Sequence, residues 1–127
     1  MSELYAVTSG DPAGIGPDIS LKIALREDSH QFVVFGNMDL LRERAEMHAM
    51  DIKFIEFDEA TSDSQIQKNT LLVKNFNLNQ SIQPGVMDSK NGSYTLSMID
   101  DAVKGCMDGQ FTGCITGPVN KESIAKS

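Results

Sequence analysis

The sequence has little of what secreted and membrane proteins require. No apolar stretch approaches the roughly 18–20 residues that span a bilayer. Residues 1–10 lack the basic segment followed by an apolar segment that marks a secretory signal. The only two cysteines, Cys106 and Cys114, are too few for a disulfide framework. Both have apolar neighbours, so we expect small buried hydrophobic side chains. These absences predict a cytoplasmic protein.

Positive charge is also scarce. The chain has 11 Lys and Arg against 18 Asp and Glu, a net charge of −7, and no basic run. An acidic surface repels phosphate backbones, so neither nucleic acid nor an anionic membrane is expected as a partner. His30 and His48 lie far apart among polar residues, and no Cys, His or carboxylate cluster has metal-ligand spacing. We expect both histidines at the surface.

The residues that are present predict an α/β fold. The 127 residues, 40% of them hydrophobic, are enough for one domain with a core. Strands are predicted at residues 4–7, 31–35, 52–57, 71–73 and 111–116; helices are predicted from Pro17, over 38–49 behind an Asn37 cap, and over 91–108 before Gly109. This alternation favours a mostly parallel sheet with helices on both faces, a three-layer αβα arrangement.

Each predicted helix carries apolar residues at helical spacing, which we expect to face the core. The stripes are Ile19, Ile23 and Ala24 on the first helix; Leu41, Ala45 and Ala49 on the second; and Ile99, Ala102, Val103 and Cys106 on the third.

A glycine-rich loop, residues 9–17, follows the first strand and precedes the first helix. Gly10, Gly14 and Gly16 would let the backbone approach a ligand closely, and a helix start attracts anions. The spacing is neither the dinucleotide fingerprint nor a P-loop. A tight turn explains the glycines equally well. Asp11 could position a substrate hydroxyl, although aspartate is also common in turns.

A second loop, residues 116–121, follows the last strand. Lys121 suits a phosphate or carboxylate, and Thr116 and Asn120 are neutral hydrogen-bonding groups beside Gly117. Both loops would open at the carboxyl edge of the sheet, meaning the edge at which parallel strands end and where such sheets bind ligands. A helix cap followed by a solvated lysine is the alternative.

The motifs resemble those of one enzyme family. Residues 8–17, with the sequence TSGDPAGIGP, are similar to the N-terminal signature of the 4-hydroxythreonine-4-phosphate dehydrogenases of vitamin B6 synthesis. The next blocks follow in the same order: Gly85, Asn91-Gly92, Tyr94, residues 109–111, and residues 115–121 with the sequence ITGPVNK. The first and last blocks are specific when found together.

This resemblance implies an incomplete fold like that of isocitrate and isopropylmalate dehydrogenases. Residues 1–127 would be a single N-terminal α/β segment of a larger two-domain homodimeric enzyme. The implied reaction is NAD-dependent oxidation of the 3-hydroxyl of 4-phosphooxy-L-threonine with decarboxylation, in pyridoxine 5'-phosphate biosynthesis. A divalent metal (Zn, Mg or Co) would act as a Lewis acid, with its ligands outside this chain. The chain ends early in a predicted helix, so we expect truncation, exposed apolar surface and no activity of the chain alone.

From the resemblance, no catalytic residue and no metal ligand can be assigned. The expected walls of the substrate and cofactor cleft are Gly10, Asp11, Gly14, Gly16, Thr116, Gly117, Asn120 and Lys121. Two other functions remain open at this point: a dehydrogenase of another four-carbon phosphate, such as threonate 4-phosphate, and a non-catalytic α/β module that binds an anion.

Overall fold

A computed structural model describes residues 4–10, 16–26, 32–57, 69–77 and 91–116. Its strands are β1 (Tyr5–Thr8), β2 (Phe32–Gly36), β3 (Lys53–Glu56), β4 (Thr70–Asn75) and β5 (Gly113–Thr116). Its helices are α1 (Gly16–Leu21), continued by a 3-10 helix (Lys22–Leu25), α2 (Met38–Met47) and α3 (Asn91–Met107). No helix of these segments is long and apolar enough to cross a membrane.

The five strands form one sheet in the order β3-β4-β2-β1-β5, and every pair is parallel. The predicted α/β fold with a mostly parallel sheet is therefore confirmed. The central strands read as continuous apolar runs, Phe-Val-Val-Phe in β2 and Leu-Leu-Val in β4. Such runs are typical of parallel strands because helices cover both faces of the sheet.

Alternate residues of each strand enter two separate hydrophobic clusters. Val33 and Phe35 of β2 pack with Met98 and Ala102 of α3 on one face. Val34, between them, packs with residues of α1 and α2 on the other face. The side-chain period of two explains this division. The three-layer arrangement predicted from the sequence is thus present.

The predicted apolar stripe of α1 is wrong at its first residue. Ile19 is 49% exposed, whereas Pro17, Ser20 and Leu21 are buried. Ser20 tolerates burial because its hydroxyl donates to the carbonyl oxygen of Gly16 at 2.9 Å. A polar residue thus occupies the buried face, and hydropathy alone selects the wrong side of this short helix.

The predicted stripe of α3 is also displaced around the helix. The buried face is formed by Tyr94, Met98 and Ala102, while Val103 is 43% exposed. Ala102 is the only residue of the predicted α3 stripe that also belongs to the buried face. In α2, Leu41 and Ala45 are buried as predicted, but the helix ends at Met47. Ala49 lies beyond that end, exposed and with a positive φ of 53°.

The predicted end of α3 is confirmed at Gly109, whose φ is +81°. This left-handed conformation suits glycine and ends a helix. The helix predicted from Lys121 lies outside the described residues.

Candidate functional site

The site begins where β1 and β5 end. These two strands are neighbours in the sheet, and Thr8 is the register partner of Thr116. Because the strands are parallel, the segments after Thr8 and after Thr116 leave from the same carboxyl edge. The two strand ends that carry the predicted loops therefore lie side by side.

Three of the eight predicted site residues are described by the structure. Gly10 has a φ of +78°, a conformation that favours glycine. Gly16 is buried at the start of α1, and Thr116 is exposed at the end of β5. The other five, Asp11, Gly14, Gly117, Asn120 and Lys121, lie outside the described residues, so their part in the site stays a prediction.

A close approach between β1 and β2 sets the direction of the chain after β1. The Ser9 N–H donates to the carbonyl oxygen of Phe35 at 3.0 Å, and Ser9 is 1% exposed. A Cβ atom on Gly36 would lie 2.8 Å from the Ser9 Oγ. Gly36, which has no Cβ atom, therefore leaves the space that the Ser9 side chain occupies.

Asn37 joins three elements at the carboxyl edge. Its side-chain oxygen accepts from the Leu40 N–H at 3.0 Å, which confirms the predicted cap of α2. Its amide nitrogen donates to the carbonyl oxygen of Phe76 at 2.7 Å, after β4. Its backbone N–H donates to the hydroxyl of Tyr94 on α3 at 2.7 Å. The segments after β2 and β4 and the helix α3 are thus joined by hydrogen bonds at this edge of the sheet.

Tyr94 is a buried phenol within this network. Burial raises its pKa to about 12, although hydrogen bonds with the Asn37 backbone and the Ser9 side chain act in the opposite direction. Tyr94 is therefore a neutral hydrogen-bonding group at ordinary pH. The sequence analysis did not identify this role of Tyr94. The helical spacing of Tyr94 with Met98 and Ala102 was the signal that could have shown that Tyr94 is buried.

A charged cluster fixes the start of α1 to the end of α2. The Arg44 guanidinium contacts one oxygen of Asp18 at 2.7 Å, and the His48 imidazole contacts the other at 2.9 Å. Arg44 is 2% exposed. His48 is exposed, as predicted; His30 lies outside the described residues. Asp18 thus fixes α1, the helix that follows the glycine-rich loop, through an ion pair with the buried Arg44, and its charge is also favourable at the positive end of the helix.

Lys74, near the end of β4, is a cation with a structural partner. Its ammonium group pairs with Asp101 of α3 and lies 5.3 Å from the centre of the Phe35 ring. Its charge therefore serves to hold α3 on the sheet.

A pocket of about 300 Å³ lies between α1 and the ends of β1 and β5. Gly16 and Thr116, from the two predicted loops, both line it, together with Thr8. Ile19 and Ile115 form an apolar part of its wall and are about half exposed. The structure thus places parts of both sequence motifs around one concave surface.

Comparison with known proteins identifies the family. Residues 28–127 match the family described as pyridoxal phosphate biosynthetic protein PdxA. The chain belongs to the PdxA family. The resemblance inferred from the sequence motifs is thereby confirmed.

Curated relatives match almost the whole chain. A 4-hydroxythreonine-4-phosphate dehydrogenase from Vibrio cholerae is 36% identical over 126 residues, which are 99% of this chain and 38% of that protein. One from Thioalkalivibrio sulfidiphilus is 38% identical over 119 residues, which are 94% of this chain and 36% of that protein. The chain therefore spans less than two fifths of the length of these relatives.

Solved structures agree with this assignment. A 4-hydroxythreonine-4-phosphate dehydrogenase from Klebsiella pneumoniae superposes with a TM-score of 0.87 at 27% identity, over 98% of this chain and 39% of that one. A terephthalate 1,2-cis-dihydrodiol dehydrogenase from Burkholderia xenovorans superposes over 100% of this chain and 37% of that one, with a TM-score of 0.77 at 22% identity. The second likeness shows the shared fold alone.

Two features of cofactor sites are absent from the described residues: a cluster of metal ligands and the acidic residue of a dinucleotide-binding unit directly after β2. No three His, Cys, Asp or Glu side chains among them lie together as metal ligands. In a dinucleotide-binding Rossmann unit, an acidic residue near the end of the second strand binds the ribose. Asn37 stands after β2 here, and both ends of its amide are engaged within the protein.

The cysteines differ from the sequence prediction. Cys114 is exposed on β5, and Cys106 is half-buried against the cluster beneath α3. The prediction of two buried hydrophobic side chains is therefore wrong for Cys114, because β5 has a described neighbour on one side only.

Proposed function

We propose that this chain forms one wall of the active-site cleft of a 4-hydroxythreonine-4-phosphate dehydrogenase in pyridoxine 5'-phosphate biosynthesis. The observation that carries the proposal is the match of nearly the whole chain to relatives of that name. The side-by-side ends of β1 and β5 support it, because each of the two sequence motifs begins at one of these strand ends.

The proposed reaction is oxidation of the 3-hydroxyl of 4-phosphooxy-L-threonine, followed by loss of carbon dioxide from the resulting 3-keto acid. NAD and a divalent metal enter the proposal through the relationship to these dehydrogenases. The metal ligands would lie outside this chain in a two-domain homodimer, and the predicted cleft walls of this chain would face both substrate and NAD. Cytoplasmic location is part of the same proposal.

The role proposed for this chain is to bind and orient the substrate. The chain has a net charge of −7, which repels a phosphorylated substrate. Binding therefore needs positive charge or hydrogen-bond donors close to the phosphate. Lys121 and the loop amides would face the phosphate, and Asp11 would accept a hydrogen bond from a substrate hydroxyl. The Thr116 hydroxyl, exposed at the end of β5, stands at the same edge as a neutral hydrogen-bonding group.

A chimera tests the activity. The part of the Vibrio cholerae relative that aligns with this chain is replaced by residues 1–127, and turnover is measured with 4-phosphooxythreonine, NAD and a divalent metal. We expect turnover from the chimera and none from the 127-residue chain alone. A chimera that folds and assembles like its parent but is inactive would contradict the proposal. Preference for threonate 4-phosphate would favour the alternative substrate.

Lys121→Ala in the active chimera tests the proposed anion contact. Loss of one charged hydrogen bond to the substrate should lower kcat/KM by at least about tenfold. Lys104→Ala, at an exposed position of α3, is the matched control and should leave kinetics unchanged. Equal kinetics for the Lys121 variant and its parent would reduce Lys121 to a surface residue.

A further inference from the structure

The two cysteines lie on the same face of the sheet. Cys114 is the register partner of Ala6, so their side chains point to the same side. Ala6 belongs to the hydrophobic cluster beneath α3, and Cys106 of α3 packs against that cluster. The fold thus directs the Cys114 side chain towards the end of α3 that carries Cys106.

The two thiols are neighbours on this face. Burial and the neighbouring Cys114 thiol both raise the pKa of the Cys106 thiol. Cys114 is exposed to solvent, whereas Cys106 is half-buried behind it. The pair therefore has one accessible sulfur and one that is reached most readily from its partner.

The connection between them is short and ordered by hydrogen bonds. The Gly109 N–H donates to the Cys106 carbonyl oxygen at 3.2 Å, and the Phe111 N–H donates to the Gly105 carbonyl oxygen at 3.2 Å. A short, ordered turn that returns the chain to the same face leaves little chain entropy to lose when the two cysteines are joined.

We propose that Cys106 and Cys114 form a redox site that is oxidised reversibly to an intramolecular disulfide by a low-molecular-weight disulfide such as oxidised glutathione. The Cys114 thiolate attacks the small disulfide, forms a mixed disulfide and releases one thiolate. The Cys106 thiolate then attacks the Cys114 sulfur and releases the second. The two protons lost by the cysteines end on the two released thiols, so the protein is oxidised by two electrons and the small disulfide is reduced by two.

This site lies beside the candidate functional site. Cys114 precedes Thr116 by two positions on β5, and Thr116 pairs with Thr8. A disulfide to α3 would fix the end of β5 relative to the helix that covers the neighbouring strand. Both cysteines are among the described residues, and their reaction does not require the proposed dehydrogenase activity.

Intact-mass spectrometry of the 127-residue chain after exposure to oxidised glutathione tests the proposal. We expect the wild-type chain to lose the mass of two hydrogens, with only a transient glutathione adduct. Cys106→Ala should keep one stable glutathionyl group on Cys114, and Cys114→Ala should react much more slowly. The step from adduct to disulfide should accelerate as pH rises, because the attacking species is the thiolate of a group with a raised pKa.

A wild-type adduct as stable as that of Cys106→Ala would overturn the proposal, as would disulfides found only between two chains on a non-reducing gel. Circular dichroism checks that the variants remain folded. Wild-type ring closure in buffer and in concentrated urea gives a second measurement that needs no variant. Closure should be faster in the folded chain, and equal rates would show that the fold does not bring the thiols together.

Discussion

Arg44 is the largest fully buried side chain of the described residues, although arginine is usually exposed. Its partner Asp18 lies 26 positions earlier, at the start of α1. Hydrophobic periodicity in the sequence could not predict this ion pair. It shows which face of a helix is apolar, but not which charged side chain is buried. The pair connects two helices that cover the same face of the sheet.

Arg44→Met should lower the free energy of unfolding by about 2–3 kcal/mol, since Asp18 would remain partly buried without its guanidinium partner. Urea denaturation measures the change. Arg42→Met is the matched control, because Arg42 is exposed and 3.8 Å from an exposed Asp39. We expect the control to change stability by less than about 0.5 kcal/mol. Equal effects of the two substitutions would contradict a structural role for the buried pair.

The raised pKa of Tyr94 predicts that the free energy of unfolding falls at alkaline pH. Its pKa is about 12 in the folded chain against an ordinary value of 10.0. The folded state therefore holds this proton more tightly, and the associated stability is complete below pH 10 and lost as pH rises towards 12. Over this range the free energy of unfolding should fall by about 2–3 kcal/mol more in the wild type than in Tyr94→Phe.

Denaturation at a series of pH values measures that difference. At neutral pH, Tyr94→Phe should itself be destabilised by about 1–2 kcal/mol, because the Asn37 N–H loses its acceptor. Parallel pH profiles for the two proteins would show that Tyr94 ionises as readily when folded as when unfolded.

At the scale of elements, patterns that depend on local chemistry were predicted well. The Asn37 cap and the Gly109 helix end are short-range features, and both are present. The predictions of which residues face the core were less accurate for α1 and α3, because tertiary contacts decide which side chains are buried. Ser20 is buried through its bond to Gly16, while Val103 is exposed.

Substitutions at Asn37 separate its two side-chain roles. Asn37→Ala removes both the cap of α2 and the bond to Phe76, and should lower the free energy of unfolding by about 1–2 kcal/mol. Asn37→Ser keeps a capping oxygen but is too short to reach Phe76, so it should recover part of the loss. Thermal or urea unfolding gives both values. A serine variant no more stable than the alanine variant would mean that the cap contributes little.

At the scale of the whole molecule, the alternation of strands and helices was enough to predict a parallel three-layer fold. The order of the strands was not predicted, because periodicity does not say which strands are neighbours. The pairing of β1 with β5, separated by most of the chain, is therefore the main structural addition to the sequence argument. It brings the two strand ends together at one edge.

The expected exposed apolar surface is also present among the described residues. Ile115 on β5 and Ile19 on α1 are 52% and 49% exposed, on either side of the pocket beside the candidate site. The sequence predicts five further site residues, which lie outside the described segments. Their convergence with Gly10, Gly16 and Thr116 on one anion is the claim on which the substrate-binding role proposed for this chain depends.

Titration of the 127-residue chain with inorganic phosphate, followed by amide chemical shifts in NMR, tests that claim most directly. The account predicts that the amides of Gly10, Gly16, Gly117 and Lys121 shift together and follow one dissociation constant, because both loops bind the same anion. Shifts confined to one loop, two different dissociation constants, or no response from either loop would contradict it.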